Sequence, residues 1–268
     1  MKSFSIEELK MFQLEMLKKI ADYCESSNLT YFLAYGTLLG AVRHKGYIPW
    51  DDDIDIIMPR RDYNLFLEHF NGQVPNLVVA APEIDIEYYA PYANVYDNRT
   101  VLIEEIVSHG KLELGVKIDI FPLDFVPSDE KLYDEIWRCS LADKRSLFIK
   151  TKKLSFCHGI ERIKLALRKI QFSFLSLKKI QERHLKLINN TKYKSDGPLV
   201  DVITMPWGRK LAMPQDYFFP VTKLLFEGYE FNAPNDSDKI LQTLYGDYMK
   251  LPPVSERVAK HSFIAYWK

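Results

Sequence analysis

A chain of 268 residues with 47% hydrophobic content is long enough to bury one large core, and its composition argues against disorder. Thirty-six basic residues balance thirty-six acidic ones, so no overall charge draws the chain to nucleic acid, and no nucleic-acid partner is expected. Cys24, Cys139 and Cys157 are odd in number and far apart, without CxxC or Cys/His metal spacing, which argues against a disulfide scaffold and for free thiols in a reducing compartment.

The N-terminal segment has no uninterrupted apolar run and no small-residue cleavage site. No stretch reaches the ~18 consecutive apolar residues of a spanning helix, so the expected location is the cytoplasm. Ser5 followed by Glu8 spells a capping box, and Leu9, Phe12, Leu14, Met16, Leu17 and Ile20 fall on one face of the helix it opens. "LTYFLAYG" (29–36) reads as a buried strand stopped by Gly36, and "TLLGAVRHKG" as a short helix ending near Gly46. Pro49 keeps the chain extended ahead of "DDDIDIIMP". As a strand, that segment turns Asp51, Asp53 and Asp55 to one side and Ile54 and Ile56 to the other, with Asp52 on the apolar side.

"RRDYNLFLEHF" reads as a helix, and "NLVVAA" and "PYANVYD" as strands. "GVKIDIFPLD" is a further strand in which Lys117 and Asp119 oppose Ile118 and Ile120. From 143 to 194 the chain carries fifteen Lys or Arg against three acids, Asp143, Glu161 and Glu182. Ile163, Leu167, Ile170, Phe174 and Leu177 recur there at helical spacing, so about 130–195 reads as a basic amphipathic insertion. Near the end, two short strands around Phe226 to Phe231 turn at Gly228, and a helix follows Asp236. The expected fold class is α/β (α+β), a mixed sheet flanked by helices, with residues 1–268 forming a single catalytic domain.

Carboxylates crowded into one turn raise one another's pKa unless a cation neutralises them. Hard oxygen ligands suit Mg²⁺ or Mn²⁺, which leave positions open for water and substrate phosphate, the arrangement of phosphoryl transfer. Trp50, Ile54, Ile56 and Ile57 ask to be buried beside the acids, which argues against a solvated loop. Upstream, Gly36 permits close backbone approach, and Thr37 is expected to cap the helix and offer a hydroxyl. The amides of that helix start favour an anion, and Arg43, His44 and Lys45 add positive charge.

The order of a Gly-Thr turn, a DxD strand (Asp53-Ile54-Asp55-Ile56) and a later acid in "KIDIF" resembles the nucleotidyltransferase superfold. More narrowly, "YGTLLGAVRHKGYIPWDDDIDIIMPRRDY", "GVKIDIFPLD" and "FEGYEFNAP...LYGDYMKLPP" resemble the LicD family of phosphocholine transferases, distant relatives of fukutin-type transferases. The resemblance implies a metal-dependent enzyme that moves phosphocholine from CDP-choline to a sugar hydroxyl of a bacterial surface glycan, a teichoic acid or lipopolysaccharide precursor. It implies Asp51, Asp53 and Asp55 as metal ligands and Asp119 as the third acid of the pattern, a ligand or a proton acceptor. Gly36 and Thr37 would hold phosphate, with Arg43, His44 and Lys45 nearby, and Asp124 and His261 are further site candidates.

A quaternary ammonium is held by aromatic faces, for which Trp50, Tyr89 and Tyr92 are candidates. The basic insertion then suggests peripheral contact with the inner membrane leaflet or a lipid-linked glycan acceptor. Another CDP-alcohol donor, of ribitol or glycerol, and a DxD glycosyltransferase are the alternatives.

Overall fold

A computed structural model describes residues 3–110, 112–190, 197–204, 211–259 and 263–268. Its first helix, α1 (Ile6–Ser26), begins with the expected capping box: the Ser5 hydroxyl accepts from the Glu8 amide, and the Glu8 carboxylate accepts from the Ser5 amide. Leu9, Leu14, Met16, Leu17, Ile20 and Cys24 are buried along it and pack toward the sheet. The predicted strand at 29–36 shrinks to β1 (Phe32–Leu33), because Tyr35 and Gly36 already belong to α2 (Tyr35–His44). Tyr35 opens that helix at φ 43°, a left-handed conformation that a bulky residue adopts only under constraint. At its other end the left-handed residue is Lys45 rather than Gly46, with φ 61°.

β2 (Asp55–Pro59) leads into α3 (Arg60–His69), and β3 (Leu77–Ala80), β4 (Ala93–Asp97), β5 (Thr100–Glu104) and β6 (Lys117–Phe125) follow. The insertion folds as α4 (Glu130–Thr151), α5 (Gly159–Gln171) and α6 (Leu177–Ile188). β7 (Leu199–Asp201), β8 (Met213–Pro214), the pair β9 (Thr222–Phe226) and β10 (Tyr229–Ala233), α7 (Ser237–Tyr245) and β11 (Phe263–Trp267) complete the described elements.

The main sheet runs β1-β2-β6-β4-β3, with β7 and β8 continuing from the far end of β6. β2 and β6 are parallel; the other pairs are antiparallel, so the sheet is mixed. Ile54, Ile56, Ile118 and Ile120 are fully buried beneath it, together with Phe66 and Phe70 of the α3 side. The β9–β10 hairpin turns on Glu227 and Gly228, both at positive φ, as a two-residue connection of this hand requires. It sits under the end of α2: the Glu227 amide donates to the Lys45 carbonyl (2.9 Å), and its carboxylate accepts from the Tyr47 amide (2.9 Å). β5 pairs with β11 across more than half the chain, a match between segments that carry no local sign of each other.

Candidate active site

The parallel register of β2 on β6 sets Asp55 directly opposite Asp119. On the other side of β6, Asn94 of β4 is the register partner of Asp119, and its side-chain amide donates to the Asp119 carboxylate. Asn94 is itself fixed: its side-chain oxygen accepts from the hydroxyls of Tyr88 and Tyr89, the latter at 2.8 Å. Lys117, two residues before Asp119 on the same face of β6, places its ammonium 3.1 Å from Asp119, 3.3 Å from Glu104 and 3.3 Å from the Tyr89 hydroxyl.

Residues 51–54 do not continue β2 as a strand. They leave a turn closed by the Asp51 amide on the Ile48 carbonyl (2.9 Å), so the simple alternation expected for this segment does not hold. Asp52, which a regular strand turns to the apolar side, instead joins Asp51 and Asp53: carboxylate oxygens of the three lie within 4.8 Å of one another. Ile54 still reaches the core, and its carbonyl accepts from the Asp119 amide (3.1 Å). Beneath the turn, the Lys10 ammonium donates to the carbonyls of Ile48 (3.3 Å) and Pro49 (3.1 Å).

Two residues of α2 shape this pocket, in roles other than those expected. The helix is capped by Ala34, not Thr37; the buried Thr37 hydroxyl accepts from the Asp55 amide at 2.9 Å and so locks β2 against the helix. Gly36 is where Asp51 approaches α2, since a Cβ there would stand 2.5 Å from an Asp51 carboxylate oxygen. Alanine at Gly36 is therefore expected to push the carboxylate aside and lower turnover by about 10²-fold, the scale of a one-ångström misplacement. The melting temperature should hardly fall, because alanine is the better helix former. Kinetics and a thermal melt of the same variant test this together, and a variant as active as the parent would show that Asp51 is free to move without cost.

The electrostatics are those of crowded carboxylates that raise one another. Burial and the charges of Asp53, Asp119 and Asp51 push the Asp55 carboxyl well above its ordinary range, and Lys117 only partly offsets them. Tyr245, at the end of α7 and still nearly half exposed, is raised by desolvation and by Asp55, Asp51 and Asp53, so its hydroxyl feels the acids' charge although no local pattern in the sequence announces it. Tyr92 feels Asp119 and Asp55 in the same way and packs on Phe121 at 4.4 Å.

The remaining candidates divide. Arg43 donates to the His44 ring (3.0 Å) and to the Tyr248 carbonyl (2.6 Å), tying α2 to the segment after α7. Burial and neighbouring Arg43 lower the His44 pKa, which suits that accepting role. Lys45 is exposed at the helix end. Trp50 lies near His44 (6.3 Å) and under the Arg257 guanidinium (5.6 Å), whereas Tyr89 packs on Tyr88 (4.8 Å) and His109 (4.5 Å). The three proposed cage residues thus have different neighbours, with Tyr92 beside the acids. Asp124 is held by a two-pronged pair with Arg60 at the start of α3 (2.7 and 2.9 Å). His261 lies outside the described residues.

Carboxylates from a turn and from two parallel strands, meeting beside the start of a helix on a mixed α/β sheet, define an enzyme built for group transfer. Residues 28–153 match the family model described as LicD/FKTN/FKRP, nucleotidyltransferase domain. Over 289 aligned positions the chain is 30% identical to the lipopolysaccharide cholinephosphotransferase LicD of Haemophilus influenzae, with 99% of each chain covered. Shorter matches of 62 residues, 42% and 40% identical, join it to uncharacterised proteins of Rickettsia typhi and Rickettsia prowazekii, covering 23% of this chain and 20% and 23% of theirs. The chain belongs to the LicD family and is a transferase.

Proposed function

We propose that this enzyme transfers phosphocholine from CDP-choline to a sugar hydroxyl of a lipid-linked surface glycan, a lipopolysaccharide or teichoic acid precursor, at the cytoplasmic face of the membrane. The observation that carries the reading is the end-to-end similarity to a lipopolysaccharide cholinephosphotransferase. In the reaction the acceptor oxygen forms a bond to the phosphorus bearing choline, the bond from that phosphorus to the CMP oxygen breaks, and the hydroxyl proton is given up to a base. No covalent enzyme intermediate is needed.

The donor set fits a hard divalent cation: three carboxylates within 4.8 Å of one another, beside a fourth kept high in pKa by desolvation and by its neighbours' charge. Asp51, Asp53, Asp55 and Asp119 would hold Mg²⁺ or Mn²⁺, with Asp52 within reach, and the bound ion would neutralise charge growing on the phosphoryl oxygens. Asn94 and Lys117 orient Asp119 from behind, the kind of support that ligating carboxylates receive. The amides at the start of α2 offer the donor phosphates an anion site, with Arg43 and Lys45 at the far end of that helix. A trimethylammonium group donates no hydrogen bond; Tyr92 and Tyr245, the rings that feel the charge of the acids, would receive it. Among the described residues no helix is long and apolar enough to cross a membrane, so the enzyme would meet a lipid-linked acceptor from the side.

The test is CMP release from CDP-choline with Mg²⁺, with and without bacterial glycan-lipid extract, beside CDP-ribitol and CDP-glycerol. Acceptor-dependent release confined to CDP-choline and absent from Asp53→Asn is the expected result. Release from a different CDP-alcohol would keep the site and replace the donor, and release from nucleotide sugars alone would overturn the phosphocholine reading.

A further inference from the structure

α5 leaves its apolar side chains outside. Ile160, Ile163, Leu167 and Ile170 are 61–69% exposed, Phe174 just past the helix end is 77% exposed, and Leu165 alone is buried along α5. With 3.6 residues per turn, these five positions fall within an arc of about 80°, so they form one narrow row. The other side of the helix is tied down: Leu165 is buried, and the Lys169 ammonium donates to the Lys150 carbonyl of α4 (2.8 Å). A row of large apolar side chains left in water on a helix whose back is already fixed calls for an apolar partner outside the fold.

The charge around the row narrows the choice of partner. From 150 to 182 the chain carries nine Lys or Arg against two acids, Glu161 and Glu182. Several of these cations have local contacts. Glu161 pairs with Lys164 (2.8 Å) and acts on Arg168, Lys178 lies 4.0 Å from Glu182, and Lys153 and Lys169 donate to backbone carbonyls. Yet two carboxylates cannot neutralise nine cations and a carbonyl neutralises none, so the segment that bears the row keeps a large positive charge whatever its contacts. A second copy of the chain would set that charge against itself along the row. A bilayer with acidic headgroups supplies hydrocarbon for the row and opposite charge for its surroundings in one surface. At 13 residues α5 is shorter than the ~20 that span a bilayer, so it would lie along such a surface.

We propose that α5 and Phe174 form a docking element that seats the enzyme on an anionic lipid bilayer, the row entering the boundary between headgroups and acyl chains and the basic segment lying against the headgroups. What the docking serves rests on the reading of the acceptor as lipid-linked. Whether it happens does not, because lipid binding needs no donor and no turnover; failure of either reading leaves the other standing.

The probe is a vesicle, either phosphatidylcholine alone or phosphatidylcholine with about one third phosphatidylglycerol, cosedimented with the full chain. The anionic vesicles are expected to bind at least about tenfold more tightly, and the preference should fade as salt is raised. Ile163→Ser combined with Leu167→Ser keeps every charge and should weaken binding to the anionic vesicles by at least about tenfold. Arg162→Gln combined with Arg168→Gln keeps the row and should cost about tenfold or more on the same vesicles, with little change on phosphatidylcholine alone. All four side chains are exposed, and melts of the variants establish that the fold is kept. A parent that ignores both vesicles would overturn the proposal, as would equal binding to the two or a serine pair that binds as the parent does. Analytical ultracentrifugation without lipid gives the remaining outcome: a dimer that the serine pair dissolves, in a protein that ignores vesicles, would assign the row to a second copy and overturn the lipid surface.

Discussion

Replacing Asp55 with asparagine is expected to make the cation-free protein more stable and the enzyme inactive. Asp55 is half-buried beside Asp53, Asp119 and Asp51, and desolvation together with their charges holds its pKa in the folded chain well above its ordinary 3.8. A carboxyl raised by folding costs nothing below its unfolded pKa, and the cost grows as pH rises toward the folded one. The parent protein without cation should therefore lose stability upward from about pH 4, whereas Asp55→Asn should not, and near neutrality the variant should lead by about 1–3 kcal/mol. Divalent cation reverses the order: at a hundredfold excess over its dissociation constant it adds about 2.7 kcal/mol to a protein that binds it, and much less to the variant. Turnover should fall by about 10³-fold or more, since stabilisation of the developing phosphoryl charge is lost. Denaturation at several pH values, with Mg²⁺ and with chelator, measures all of this; a variant less stable than the parent in chelator would mean that Asp55 holds the fold together rather than straining it.

What the sequence revealed and what it hid divide along the range of the interactions. The Ser5–Glu8 box, the Asp236 cap of α7 and the turn at Gly228 are made by residues within a few positions of each other, so their spelling is enough. The acids were legible as a group because charge so dense beside Ile54 and Ile56 has few other uses. Their geometry was not. A period of two reads 51–59 as one strand, but Thr37 and the Asp51–Ile48 bond end β2 at Asp55, and Asp52 turns in with its neighbours as a result. Asn94 carries no signal of its own; it matters because β4 registers it against Asp119, and that register depends on the whole sheet. Tyr245 feels the acids because α7 packs on α2, across some two hundred residues of chain. The apolar row of α5 was plain from spacing, whereas its exposure, the fact that gives it a use, is visible only in the fold.

Exchanging Lys117 for methionine should be the most damaging single change in the network behind the site. Burial disfavours the Lys117 charge, yet Asp119, Tyr89 and Glu104 outweigh it and hold the ammonium firmly protonated. In return, although burial raises the Glu104 carboxyl, Lys117 and His109 draw it down from an ordinary 4.5 to about 2. Methionine fills much the same space but leaves Glu104 and Asp119 without their shared cation, a loss of about 3–5 kcal/mol for a buried pair broken from one side. The sign of its pH dependence follows from Glu104. A carboxylate lowered by folding contributes stability that is complete above its unfolded pKa and vanishes as pH falls through the folded one, so the deficit should be full at pH 7 and shrink between about 4.5 and 2. Turnover should fall as well, because Asp119 loses one of the two described side chains that orient it and keeps Asn94. Urea denaturation of parent and variant at pH 7 and pH 3 decides the matter: a deficit equal at both would trace the damage to packing around the methionine. A deficit that closes in acid assigns it to one lysine holding two half-buried carboxylates, one of them among the proposed ligands.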